Sequence, residues 1–114
     1  MTPRDDIMSS PFMHVISKKR LREFWDEHAS AEVALRRWYK VVSHARWEQW
    51  SDVKATFSSA DQVKVASGTP MVVFNVGGNN YRVVTRALFE FGRVYIKRVM
   101  THAEYGKGRW KGDL

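Results

Sequence analysis

Apolar residues recur along this chain with two different periods. After a polar opening, Phe12-Met13-His14-Val15-Ile16 is a short apolar run with strand character. From Lys18 to His28 the spacing changes. Leu21, Phe24 and Trp25 fall at i, i+3 and i+4, one stripe of an amphipathic helix, while Lys18, Lys19, Arg22, Glu23 and Asp26 take the other faces. Ser17 is placed to cap this helix. Ser30 is placed to cap a second one over Ala31–Arg46, with Val33, Leu35, Trp38, Tyr39 and Val42 buried and Arg36, Arg37 and Lys40 outward. The short Ala29-Ser30 link predicts a helical hairpin, and its apolar inner face needs a sheet to cover. Between Trp47 and Ala60 the pattern weakens. Ser51 or Asp52 would cap a short helix through Phe57, and Trp47, Trp50, Val53 and Phe57 would pack on the sheet. Asp61–Thr69 reads as a connection in which Val63 and Val65 permit a brief strand.

From Met71 onward the period is two. Strands are predicted over Met71–Val76, Tyr81–Phe89 and Val94–Thr101, separated by Gly77-Gly78-Asn79-Asn80 and by Gly92. Strands joined by turns this short are antiparallel. Thr101 would cap a short helix starting at His102, and the basic, Gly-rich tail Gly106–Leu114 would be mobile unless Trp110 anchors it. The order is β-α-α-β-β-β with a short C-terminal helix. This is an α+β fold: an N-terminal strand and a helical hairpin packed on a mainly antiparallel sheet. Residues 1–12, polar with two prolines, read as a flexible N-terminal extension, and 13–114 as one domain.

Alternation assigns the faces of this sheet. Tyr81, Val83, Thr85, Ala87 and Phe89 form the more apolar face of the central strand and should meet the helices. Arg82 and Arg86 then point to the open face. If Ile96 is core, Lys97 joins them, whereas strict alternation puts Arg98 with Ile96; a bulge or an edge position would resolve that. Arg82, Arg86 and Lys97 would make a cationic patch framed by Tyr95 and Tyr105, with positive charge for phosphate and flat rings for splayed bases.

Composition sharpens this picture. The chain carries a net charge of +7, of which residues 78–114 hold eight basic and three acidic side chains, so the excess sits in the last third. A localised basic excess points to a polyanion, most often nucleic acid. There are no cysteines, which fits a reducing cytoplasm and excludes a disulfide framework or thiolate metal site. His14, His28, His44 and His102 are dispersed without ligand spacing, so no metal is expected. No run approaches the length of a membrane span, and the first residues lack the order of a signal peptide. Gly77–Asn80 reads as a hairpin turn; a phosphate nest is the alternative, without a following GK[ST] to support it. Trp25, Trp38, Trp47 and Trp50 read as core, and Trp110 as the tryptophan free for a nucleic-acid or partner contact.

Two segments, Phe74-Asn75-Val76-Gly77-Gly78-Asn79-Asn80-Tyr81-Arg82-Val83-Val84 and Val99-Met100-Thr101-His102-Ala103-Glu104-Tyr105, resemble the hallmark segments of the HigB toxin family. That family belongs to the RelE-like mRNA interferases of bacterial type II toxin–antitoxin systems. Met13–Ser17, Leu21–Trp25, Trp38-Tyr39 and Asp52–Phe57 stand in family order as well, so the resemblance covers about residues 13–111. One departure is Gly106, where the family usually has Asp after the Tyr.

The resemblance implies a cytoplasmic endoribonuclease that cleaves mRNA, on the translating ribosome, by driving the RNA 2′-OH against the adjacent phosphate without metal or cofactor. It also implies a small helix-turn-helix antitoxin (HigA-like), operator DNA bound only through the antitoxin complex, and no membrane partner. Such chemistry needs a base, an acid and cations for the phosphorane. On that basis Arg82, Lys97, His102 and Tyr105 are the expected catalytic residues. Arg82 and Lys97 would bind phosphate with Arg86 in support, His102 would be the general acid or base, and Tyr105 would stack or share proton transfer. Asn79, Arg86, Arg98, Lys107 and Arg109 are the expected RNA-binding residues. Two other functions compete: a catalytically silent RNA- or antitoxin-binding protein of the same fold, and a basic DNA-binding domain reading through the second helix.

Overall fold

The computed structural model describes residues 12–114. Its elements in chain order are β1 (His14–Ile16), α1 (Lys18–Glu27), a 3-10 turn (Ala29–Ala31), α2 (Glu32–Ser43), α3 (Trp50–Thr56), β2 (Asp61–Lys64), β3 (Pro70–Val76), β4 (Tyr81–Leu88), β5 (Arg93–Thr101), α4 (His102–Lys107) and α5 (Trp110–Asp113). The five strands form one sheet in the order β1-β5-β4-β3-β2. β1 pairs parallel with β5, and every other pairing is antiparallel. The mixed architecture with a helical hairpin on the sheet agrees with the α+β expectation. The expected extension lies outside the described residues except for Phe12, whose ring meets His44 and is overlain by Arg46.

The hairpin face is the main core. Ser17 caps α1 as expected, accepting a hydrogen bond from the Lys19 amide at 3.2 Å. Leu21 and Trp25 are buried on α1, and Leu35, Trp38 and Val42 on α2. Phe74, on β3, sits at the centre of an aromatic cluster: Trp38 and Phe57 meet it edge-on at 5.3 and 5.1 Å, and Trp47 stacks on it at 5.9 Å. Such ring pairs add to the burial of their area.

Several local expectations are corrected. Val33 is 73% exposed, not buried, because two helical steps from Leu35 carry it about 200° round the helix axis. Ser30 does not cap α2. It lies within the 3-10 turn, and its hydroxyl bonds the Tyr81 hydroxyl at 2.6 Å. α3 starts at Trp50, ahead of both proposed caps; Asp52 lies inside it and accepts from the Gln49 and Glu48 amides behind it. Asp61–Lys64 is a paired edge strand, β2, whose side chains face mostly water and so left no alternation to read. The tail is ordered: Trp110 is 4% exposed, so it is a core residue and not a free nucleic-acid contact.

Trp110 gives the second face of the sheet its own small core, with Val65, Met71, Val73, Val84 and Met100. Its indole N–H donates to the Tyr105 carbonyl at 3.1 Å, its ring stacks on Tyr105 at 5.2 Å, and the Lys111 carbonyl accepts from Ala66. The outer face is therefore covered at one end by α4 and α5 and uncovered at the other, where Arg86 is exposed. Replacing Trp110 by Ala should lower unfolding free energy by about 3–5 kcal/mol, the usual cost of removing a buried tryptophan. A loss below about 1 kcal/mol in urea denaturation would mean that this cap contributes little.

Candidate active site

β4 carries Arg82 on the outer face, opposite Met100 of β5 and Asn75 of β3. The turn before it is held tightly. Gly77 and Gly78 both have positive φ, and a Cβ on Gly77 would lie 3.0 Å from the Tyr81 ring, so that position requires glycine. Tyr81 in turn packs edge-on against Phe24 of α1. On the other side, Thr101 accepts from the Glu104 amide at 3.2 Å while the Glu104 carboxylate accepts from Thr101, a reciprocal cap that starts α4 at His102. The His102 amide donates to the Asn80 carbonyl at 2.8 Å and ties α4 to the turn. Tyr105 lies three residues on, on the same helix face.

These elements converge on Arg82, which is 6% exposed. Its Nη1 donates to the carbonyls of Asn79 (3.2 Å) and Tyr81 (3.1 Å). Its Nη2 donates to Asn79 Oδ1 (2.6 Å) and lies 3.0 Å from His102 Nδ1. The guanidinium carbon sits 5.4 Å from the Tyr105 ring centre. Among the described residues no carboxylate forms an ion pair with it. Arginine only donates, so the His102 contact makes Nδ1 an acceptor and leaves the imidazole proton on Nε2, on an exposed side chain. Burial holds the Tyr105 hydroxyl above its usual 10.0, with Asp61 adding and Arg82 opposing. Tyr105 is therefore a protonated donor at neutral pH.

The remaining expected residues fall in two other places. Lys97 is the extra residue of a β-bulge: Val84 pairs with Arg98 and Thr85 with Ile96. Past it, Arg98 and Met100 share the outer face with Arg82, whereas Val99 and Thr101 turn to the helices. The bulge thus resolves the misfit of Arg98, and the strict grouping of Tyr95 and Lys97 with Val99 and Thr101 does not hold. Lys97 lies 5.8 Å over the Tyr95 ring, and Tyr95 pairs with Arg86. Arg98 is engaged by Asp113 at 3.7 Å and lines a groove of about 330 Å³ with Lys107, Arg109, Glu104 and Trp110. Arg82, Asn79, His102 and Tyr105 are thus one cluster, and Asn79 spends its side-chain carbonyl on Arg82. The residue missed for this cluster is Trp110, which backs the Tyr105 ring; its signal was a large aromatic five residues past Tyr105 in an otherwise polar tail.

A family model described as HigB_toxin, RelE-like toxic component of a toxin–antitoxin system, matches residues 31–108, a span that holds the whole cluster. The chain belongs to the HigB toxin family. Among curated HigB relatives, the mRNA interferase toxin HigB of Escherichia coli strain K12 is 34% identical over 93 residues, covering 82% of this chain and 88% of the relative. The mRNA interferase HigB of Escherichia coli O6:H1 (strain CFT073) is 30% identical over 95 residues, covering 83% and 90%.

The Tyr105 environment has a consequence for stability. A group whose proton is held more tightly in the folded state contributes stability that is present below its unfolded pKa and lost as pH rises through the folded one. The wild type should therefore lose thermal stability above pH 10.0 more steeply than Tyr105→Phe. Parallel melting curves for the two proteins across that range would contradict this.

Proposed function

We propose that this HigB-family chain is the toxin of a type II toxin–antitoxin system and acts as an endoribonuclease on mRNA. The observation that carries the mechanism is the contact between buried Arg82 and exposed His102. An arginine without a carboxylate partner among the described residues holds positive charge beside the His102 and Tyr105 donors. A phosphate entering there meets that field, and a phosphorane gaining charge meets it more strongly.

In this reading the RNA 2′-OH attacks phosphorus, the P–O5′ bond breaks, and the 5′ oxygen takes a proton. His102 and Tyr105 stand, in this reading, on the donor side: the His102 N–H hydrogen-bonds the phosphorane, and the 5′ oxygen takes its proton from Tyr105 or solvent. His102 presents Nε2–H outward because Arg82 occupies Nδ1, and Tyr105 keeps its proton. In this arrangement the cluster offers no free base, so the 2′ proton passes to solvent or to a phosphate oxygen. Arg82 is buried enough to act chiefly through charge and by orienting His102, with Asn79 fixing its plane. Lys97 and Arg86 bind phosphates further along the strand, and Lys107 and Arg109, both exposed, add backbone contacts, with Arg98 between them and the sheet.

Cleavage takes place in the cytoplasm on the translating ribosome, and a helix-turn-helix antitoxin of the HigA-like kind restrains it and carries any operator binding. Induced expression of the wild type should arrest growth and produce new mRNA 5′ ends. Arg82→Ala and His102→Ala should each reduce cleavage by about 100-fold or more and relieve the arrest. Folded variants of both residues that still cleave at wild-type rate would refute the assignment; arrest without any cleavage would favour a binding protein of the same fold.

A further inference from the structure

The outer face repeats, at its uncovered end, the pairing of ring and cation seen at Arg82 and Tyr105. The second ring is Tyr95, half-buried in the middle of β5. Three cations surround it. Lys97 lies 5.8 Å over its ring, Arg93 donates to its hydroxyl at 3.3 Å, and Arg86 is its cross-strand partner on β4. Cross-strand partners hold their Cβ atoms about 5 Å apart. Among the described residues none of the three cations is in an ion pair, and Arg86 and Arg93 are exposed. Glu48 and Glu90 line a cleft at the end of β4 with Ala87, Leu88 and Phe89.

The bulge shapes the neighbourhood of this cluster. In a regular strand Lys97 would share the outer face with Tyr95 and Arg98 would turn to the helices. With the bulge, Lys97 lies over the Tyr95 ring and Arg98 stays on the outer side as well. Bulges of this kind re-aim side chains beside functional sites. The half-buried ring sits among three cations, none in an ion pair among the described residues, and like charges held this close repel.

We infer that Tyr95 is a stacking platform for a base of the single-stranded RNA substrate, with Lys97, Arg86 and Arg93 taking the phosphates on either side of that nucleotide. Arg86 stands four residue steps along β4 from Arg82, which puts the platform about 13 Å along the strand from the Arg82 cluster. It is therefore a second anchoring point, distinct from the scissile phosphate. A base that takes the ring displaces the Lys97 ammonium onto the neighbouring phosphate. The ring supplies affinity for any base, because every base has a π face. This inference rests on the reading of the protein as an RNA-cleaving toxin, and adds how the strand is held.

The test compares wild type, Tyr95→Ala, Tyr95→Phe, Lys97→Met and Arg82→Ala by cleavage kinetics on one mRNA, free and on programmed ribosomes, after matching their melting points. Tyr95→Ala should raise KM by about 5- to 100-fold, the worth of one stacked base, and leave kcat within about twofold. Tyr95→Phe should keep the wild-type KM, and Lys97→Met should fall between. An unchanged KM for Tyr95→Ala, or an equal rise for Phe and Ala, overturns the platform. Arg82→Ala separates the two ideas: if it keeps full kcat while Tyr95→Ala raises KM, the catalytic assignment fails and the platform stands. If the wild type cleaves nothing, anisotropy with a 2′-O-methyl RNA oligonucleotide decides. Weaker binding by Tyr95→Ala but not by Tyr95→Phe upholds the platform, and equal affinities for all three overturn it.

Discussion

Arg82, 6% exposed and without a carboxylate partner among the described residues, is the constraint around which this site is arranged. Burying an unpaired charge is expensive unless its hydrogen bonds are met and its field is used. Arg82 satisfies its protons on two backbone carbonyls, one amide oxygen and one imidazole nitrogen. The four acceptors come from three local devices. The double-glycine turn delivers Asn79, the strand delivers the Tyr81 carbonyl, and the Thr101–Glu104 cap delivers His102. None of these devices is required by the hairpin core on the opposite face. They make sense as a housing for a positive charge whose counter-ion arrives from outside.

The two layers of packing divide the work. The Phe74 cluster and the helical hairpin hold the sheet flat on one side and lock the turn through Tyr81, which meets Phe24 and Ser30. The Trp110 cap holds Tyr105 against the other side, next to Arg82. Loss of Trp110 therefore acts on the site as well as on stability, because the Tyr105 backbone and ring both lean on it. The bulge at Lys97 works at right angles to this. It leaves the core register intact on the helix side, where Ile96 and Val99 remain packed, and redistributes cations on the outer side.

The periodic parts of the fold were legible. Leu21, Trp25, Leu35, Trp38 and Val42 repeat at helical spacing over a buried stripe, and the alternation of β4 and β5 told the helix face from the outer face up to the bulge. Alternation put Arg82 and Arg86 on the face away from the helices, but the three cations part: Arg82 is buried beside His102, and Lys97 sits in the bulge near Tyr95 and Arg86. What escaped were features that depend on tertiary partners. β2 shows no pattern because both its faces are mostly wet. Trp110 read as a free aromatic because its partners Met71, Val73 and Val84 lie on strands well before it in sequence. Ser30 read as a cap because nothing local announces the Tyr81 hydroxyl 51 residues on. The split of the cations into an Arg82 cluster, a Tyr95 cluster and a flanking groove needed the bulge, of which the misfit of Arg98 was the one trace. The resemblance to HigB toxins assigned chemistry to these residues, and position within the fold distinguishes their parts in it.

Gly106 bears on the same electrostatic argument. Family pattern favours Asp after the tyrosine, and an aspartate here would stand beside Tyr105 and one turn from His102. The backbone does not demand glycine: φ is not positive, and a Cβ would meet nothing within 4 Å. The missing carboxylate is thus not a steric exclusion. Its effect is on charge. An acid at this point of α4 would compete with substrate phosphate for the field of Arg82 and offer a base that the cluster otherwise lacks. Without it, Arg82 has no carboxylate partner among the described residues.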